Sequence, residues 1–121
     1  MVALTREQMI NMVEQSYFGN VDNKEVEAVL DCFTADAVFT VQSAFTSYEG
    51  RDSGIKNFYQ SVTAGFEKIW HGDFEHIVDV ESQRISTQFN VRRTDLSGAE
   101  ASMSNCNVFR FEDGRFNQVF V

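Results

Sequence analysis

Four side chains, far apart along the 121 residues, have the types that acid–base and oxyanion chemistry need: Tyr17, His76, Asn105 and Asn107. The two asparagines share one strand face with Met103, Phe109 and Phe111, so two amides project among apolar neighbours. A buried amide without a partner costs roughly 1–3 kcal/mol, so a ligand, a water or the amides themselves must satisfy the pair. An amide donates a hydrogen bond at every pH and can polarise a carbonyl, but it supplies no proton. His76 is the candidate for moving one. It alternates with Phe74, Val78 and Val80 on an apolar face, while Glu75, Asp79 and Glu81 take the other. A neutral imidazole in such surroundings serves as a general base near neutral pH. The same placement also fits a core histidine satisfied by its neighbours. Tyr17 lies on the apolar stripe of the first helix, where its hydroxyl could reach a backbone carbonyl or a pocket.

Other constellations have less to stand on. Cys32, Cys106, His71 and His76 lack CxxC or HxxxH spacing, so no metal site is expected. Neither a phosphate-cradling glycine loop nor a dinucleotide fingerprint is present, and no cofactor is expected. Asp31 reads as a solvated flank of the second helix and Asp36 as a turn cap. Trp70-His71-Gly72-Asp73 reads as a helix-to-strand connector, with His71 exposed and Trp70 lidding one end of the core. Ten Lys and Arg against 18 Asp and Glu give a charge of −8, which disfavours a nucleic-acid partner. No apolar run suits a membrane span, and the first residues do not read as a leader. Two cysteines make no disulfide framework, so a cytoplasmic location is expected.

The elements that must position these residues are legible in outline. Proline is absent and no linker or repeat interrupts the chain, so residues 1–121 read as one domain. Thr5-Arg6-Glu7-Gln8 has capping-box form and opens a helix with Met9, Met12, Val13, Ser16 and Tyr17 on one stripe, stopped at Gly19-Asn20. Asp22 and Glu25 open a second helix carrying Val26, Val29, Leu30 and Phe33. A short strand follows over 37–41. A third helix begins at Asp52 or Ser53 with Ile55, Phe58, Tyr59, Val62 and Phe66 inward. From residue 73 onward the pattern alternates. Asp95-Leu96-Ser97-Gly98 turns the chain, and Glu112-Asp113-Gly114 signals a hairpin. Helices covering one face of an antiparallel meander make an α+β architecture.

With these segments in place the chain resembles the nuclear transport factor 2-like superfamily, which includes ketosteroid isomerase, scytalone dehydratase and the SnoaL-like polyketide cyclases. The segments that carry the resemblance are Tyr17-Phe18, the run Leu30 to Val38, Tyr48-Glu49-Gly50-Arg51, and Asn107 to Phe111 leading through Asp113-Gly114 to Phe116. The resemblance implies a cone-shaped, curved, mixed or antiparallel sheet packed by three N-terminal helices around an apolar cavity, with dimers through the outer sheet face. Tyr17 then matches the isomerase tyrosine that donates to an oxyanion, and Asn107 stands where that enzyme has a protonated aspartic acid. Val41 occupies the position of its aspartate base and cannot abstract a proton, so ketosteroid isomerase activity is not expected. Scytalone dehydratase has a carboxylate near the end of its first helix, and Phe18 and Gly19 offer none.

The function expected from all this is binding of a small apolar or cyclic ligand in an internal cavity. As an enzyme the chain would be a cofactor-free lyase or isomerase, with His76, Tyr17 and Asn107 catalytic. Asn105, Phe33, Val41, Tyr59, Phe66 and Phe109 would contact the ligand. The alternative is a non-catalytic dimeric or partner-binding module. A void of several hundred Å3 would favour the ligand, whereas a hollow filled by Phe side chains would favour the structural role.

Overall fold

Thr5 opens the first helix in the predicted way. Its hydroxyl accepts from the Gln8 backbone N–H at 3.2 Å, and the Gln8 side chain accepts from the Thr5 N–H at 2.9 Å. In the computed structural model, which describes residues 2–121, this helix begins as α1 (Arg6–Asn11), takes π winding over Met12–Gly19 and closes as α2 (Asn20–Asp22). The predicted stop at Gly19-Asn20 does not occur. Both residues keep right-handed helical angles, and Asn20 Nδ2 donates to the Ser16 carbonyl at 2.8 Å. Glycine weakens a helix interior by about 1 kcal/mol but does not end it. The added turn carries Asp22.

After Lys24, which adopts a φ of 60°, α3 (Val26–Leu30) is short. Phe33, which the helical spacing assigned to α3, instead begins β1 (Phe33–Val41) and is fully buried there. β2 (Thr46–Glu49) pairs antiparallel with β1, a strand the sequence pattern did not signal. The third helix starts with a π turn over Gly50–Ile55, ahead of the predicted Asp52, and continues as α4 (Lys56–Gly65).

Four long strands follow: β3 (Phe66–Asp79), β4 (Arg84–Asp95), β5 (Glu100–Glu112) and β6 (Arg115–Phe120). The sheet is six-stranded and open, in the order β2-β1-β6-β5-β4-β3, with β1 and β6 parallel and every other pair antiparallel. Three helices on a mixed sheet make the α+β cone architecture. Asp113 and Gly114, at φ 50° and 80°, supply the two left-handed residues that a type I′ hairpin requires. At the other end, Asp95 Oδ1 accepts from the Ser97 and Ala99 N–H groups at 2.9 and 3.0 Å and closes the β4–β5 turn. Met9, Val13 and Tyr17 of the first helix meet Ile85, Phe109 and Phe116 of the sheet in a core from which water is excluded. Each such side chain contributes about 1.5–3 kcal/mol through burial. No helix among the described residues is long and apolar enough to cross a membrane.

The chain departs most from its predicted layout in β3. Residues 70–73 are not a connector: the strand begins at Phe66 and runs through them. Its register against β4 shifts between Gly72 and Glu75, where Asp73 adopts a φ of 56°. That bulge inserts one residue, so Ile69 and His71 face the helices on one side of it and Phe74 and His76 face them on the other. Trp70 points the opposite way. It does not lid the core but is 39 % exposed on the outer face, with the Arg92 guanidinium 4.7 Å from its ring centre. The ring lies over Gly72, where a Cβ would come within 2.2 Å of it, so any other residue there would displace the indole.

Candidate functional site

The first helix grips β3 through two carboxylate–imidazole pairs. At the nearer end of the strand, the Asp22 carboxylate accepts twice from one residue: from the His71 backbone N–H at 2.8 Å and from ring Nδ1 at 2.5 Å. A carboxylate only accepts, so Nδ1 carries a proton, and in the neutral imidazole the lone pair is then on Nε2. The ring lies tilted against Phe18, 4.6 Å between centroids, and is flanked by Phe89. A base held in one tautomer and one orientation is the arrangement that proton abstraction needs.

The second pair is built differently. His76 Nε2 donates to Glu14 Oε2 at 2.5 Å, and Nδ1 shares a hydrogen bond with the Thr87 hydroxyl at 2.9 Å. Both nitrogens are occupied, and His76 does not line the recess that His71 lines. His76 therefore sits between the first helix and the sheet with both ring nitrogens hydrogen-bonded, outside the recess that His71 lines. Thr87 is fully buried, with its hydroxyl hydrogen-bonded to His76. Its cross-strand neighbour Asn107 is left with Oδ1 buried and without a hydrogen-bond partner.

Asn107 also lines a recess of about 190 Å3 between the helices and the concave sheet face. Tyr17, Tyr59, His71, Arg93, Asn105 and Asn107 provide its polar lining, and Phe18, Phe39, Phe58, Phe66 and Phe89 most of its aromatic walls. The strand register sets the polar groups in successive rows: His71 opposite Val91, then Asn105 opposite Phe89, then Asn107 opposite Thr87. Tyr17 and Tyr59 share a short hydroxyl–hydroxyl hydrogen bond and are 3 % and 2 % exposed. Burial pushes both phenols well above the usual tyrosine range, so neither ionises near neutrality. Two phenolic hydrogens serve one mutual bond. The second is left to donate elsewhere.

The other expected contacts divide. Asn105, Tyr59 and Phe66 line the recess, although Phe66 does so from the start of β3 rather than from a helix. Phe33 and Phe109 stand behind it, packed edge-on to the Tyr17 ring at 6.1 and 5.5 Å. Val41 lies at the end of β1 outside the lining, where Val121 takes the neighbouring place. Cys32 is buried, which raises its thiol to about 12, and Cys106 is exposed on the outer face. Sequence reasoning missed His71 and Asp22. The available signal was a histidine two residues beyond Ile69 in a strand whose start the alternation places too late.

Residues 14–119 match the family of SnoaL-like domains. Among curated proteins none matches. Among solved structures, a candidate polyketide cyclase from Xanthomonas campestris pv. campestris is 17 % identical with a TM-score of 0.81, over 96 % of this chain and 91 % of that one. A nuclear transport factor 2-like protein of unknown function from Burkholderia pseudomallei is 21 % identical with a TM-score of 0.78, over 93 % and 88 %. TerC, co-crystallised with polyporic acid, is 17 % identical with a TM-score of 0.77, over 93 % and 88 %. At these identities the likeness is one of fold.

Proposed function

Because the chain belongs to the family of SnoaL-like domains, we propose that it binds a small cyclic ligand in the recess and acts on it as a cofactor-free lyase or isomerase. The observation that carries the reading is the Asp22–His71 pair, with one imidazole nitrogen free, set in the wall of an apolar pocket. His71 Nε2 takes a proton from a carbon beside a carbonyl, and the C–H electron pair moves onto the carbonyl oxygen. The spare hydrogen of the Tyr17–Tyr59 pair donates to that oxygen as charge develops. Asn107 and Asn105 hold the ligand's other polar group. The proton returns from His71 to a second position or to a leaving hydroxyl, which separates isomerisation from elimination.

Size limits the ligand. An engineered apolar cavity of about 150 Å3 holds benzene, so a recess of about 190 Å3 admits one substituted ring. Phe18, Phe39, Phe58 and Phe89 keep it below the several hundred Å3 set as the mark of a ligand site. That size favours the non-catalytic alternative, so the ligand reading stands on the Asp22–His71 pair. The test is deuterium uptake from heavy water into cyclic ketones, phenols and polyketide-like compounds, read by mass spectrometry alongside 15N NMR of the asparagine side chains. Exchange at a carbon beside the carbonyl, lost in His71→Gln, is expected. Compounds that neither exchange nor move the Asn107 signals would end the reading.

A homodimer through the outer sheet face belongs to the same proposal. Ile77, Ser86, Val108 and Phe120 form a row across that face, and Ile77 is 77 % exposed. Light scattering of the wild type and of Ile77→Lys tests it; a monomer in both would remove the dimer.

A further inference from the structure

Arg93 is the one cationic side chain in the lining of the recess, and the proposed function does not use it. It projects from β4 on the same face as Val91 and Phe89, one row beyond His71, because Arg93 stands opposite Ile69 and Val91 opposite His71. Its guanidinium lies 4.8 Å from the ring centre of Phe66, another lining residue. The Lys24 ammonium donates to the Phe66 backbone carbonyl at 2.5 Å. Among the described residues neither cation forms an ion pair with a carboxylate. The nearby Asp95 is engaged by Ser97 and Ala99 in its own turn. In a chain of net charge −8, an arginine that faces an apolar pocket and is left without an acidic partner has its planar donors open to a ligand.

We propose that Arg93 recognises a carboxylate on the ligand, so the substrate class is a cyclic or aromatic carboxylic acid rather than a neutral ketone. Two residues along the strand separate Arg93 from the His71 row, roughly 7 Å at the usual rise of about 3.4 Å per residue. That places the carboxylate about one ring away from the proton that His71 removes. The inference rests on the recess being a ligand site, and it adds the charge and the orientation of what enters.

Phenylacetate and its neutral counterpart phenylacetamide separate the two ideas. Both would be titrated at neutral pH into wild type, Arg93→Gln and Arg93→Lys, with affinities read from 15N NMR shifts of recess residues. Wild type is expected to favour the carboxylate about tenfold, as a charge-assisted hydrogen bond predicts. Arg93→Gln should bind both probes with the affinity of the amide, which also shows that the variant folds, and Arg93→Lys should recover part of the preference. Equal affinities in wild type, or a preference that survives Arg93→Gln, overturn the Arg93 assignment and leave the pocket standing. If neither probe shifts a recess residue, both proposals fall.

Discussion

Two carboxylate–imidazole pairs join the same helix to the same strand, and they have opposite uses. Asp22 holds His71 by its ring Nδ1 and its backbone and leaves Nε2 free, on the wall of an apolar recess. Glu14 holds His76 by Nε2, and Thr87 occupies the remaining nitrogen, away from the recess. The residue types are nearly the same. A third partner, Thr87, occupies the second nitrogen of His76 and has no counterpart at His71.

The widest separation between the pairs is expected in proton transfer. His71→Gln should lower exchange into a bound ketone roughly 10²–10⁴-fold, the usual contribution of a general base. His76→Gln should leave it unchanged, because glutamine can still bridge a carboxylate and a hydroxyl. Equal losses in the two variants would erase the distinction. Next in size is stability. Thr87→Val deprives the His76 Nδ1 of its hydrogen-bond partner and should cost about 1–3 kcal/mol, read as a lower urea midpoint, while recess ligands bind as before. A stability-neutral Thr87→Val would show that His76 does not brace the helix.

The smallest effect is in alkaline solution, and only the recess side should show it. Burial raises Tyr17 and Tyr59 above the unfolded tyrosine value of about 10. Folding therefore favours the protonated phenols. Their contribution is complete below pH about 10 and falls away as the pH rises past it. Urea midpoints measured against pH should decline there in wild type and in Thr87→Val alike, and more gently in Tyr59→Phe. An unaltered slope in Tyr59→Phe would exclude the tyrosine pair as its source.

Much of the architecture is legible in the sequence because it rests on local rules. The Thr5–Gln8 box, the Asp95 turn and the Asp113-Gly114 hairpin each act over a few residues, and each forms as predicted. The alternation of Ile85, Thr87, Phe89 and Val91 is enough by itself to turn one face of β4 inward, and all four are buried. Tyr17, Asn105 and Asn107 stand out for the same reason: a polar group on an apolar stripe is visible in the pattern. His71 is hidden by a bulge. His71 and His76 are an odd number of residues apart, so strict alternation puts them on opposite faces, and the residue inserted at Asp73 brings both to the helix side. Asp22 is hidden by a helix that continues through Gly19-Asn20.

From its sequence alone, then, this chain determined most of its elements, their apolar faces and the SnoaL-like resemblance, since period and turn chemistry are properties of neighbouring residues. Tertiary structure alone decided which histidine keeps a nitrogen free. Glu14 and His76, and Asp22 and His71, are 62 and 49 positions apart. A hydrogen bond forms between atoms that meet in space, and whether a nitrogen is occupied depends on every element packed against it.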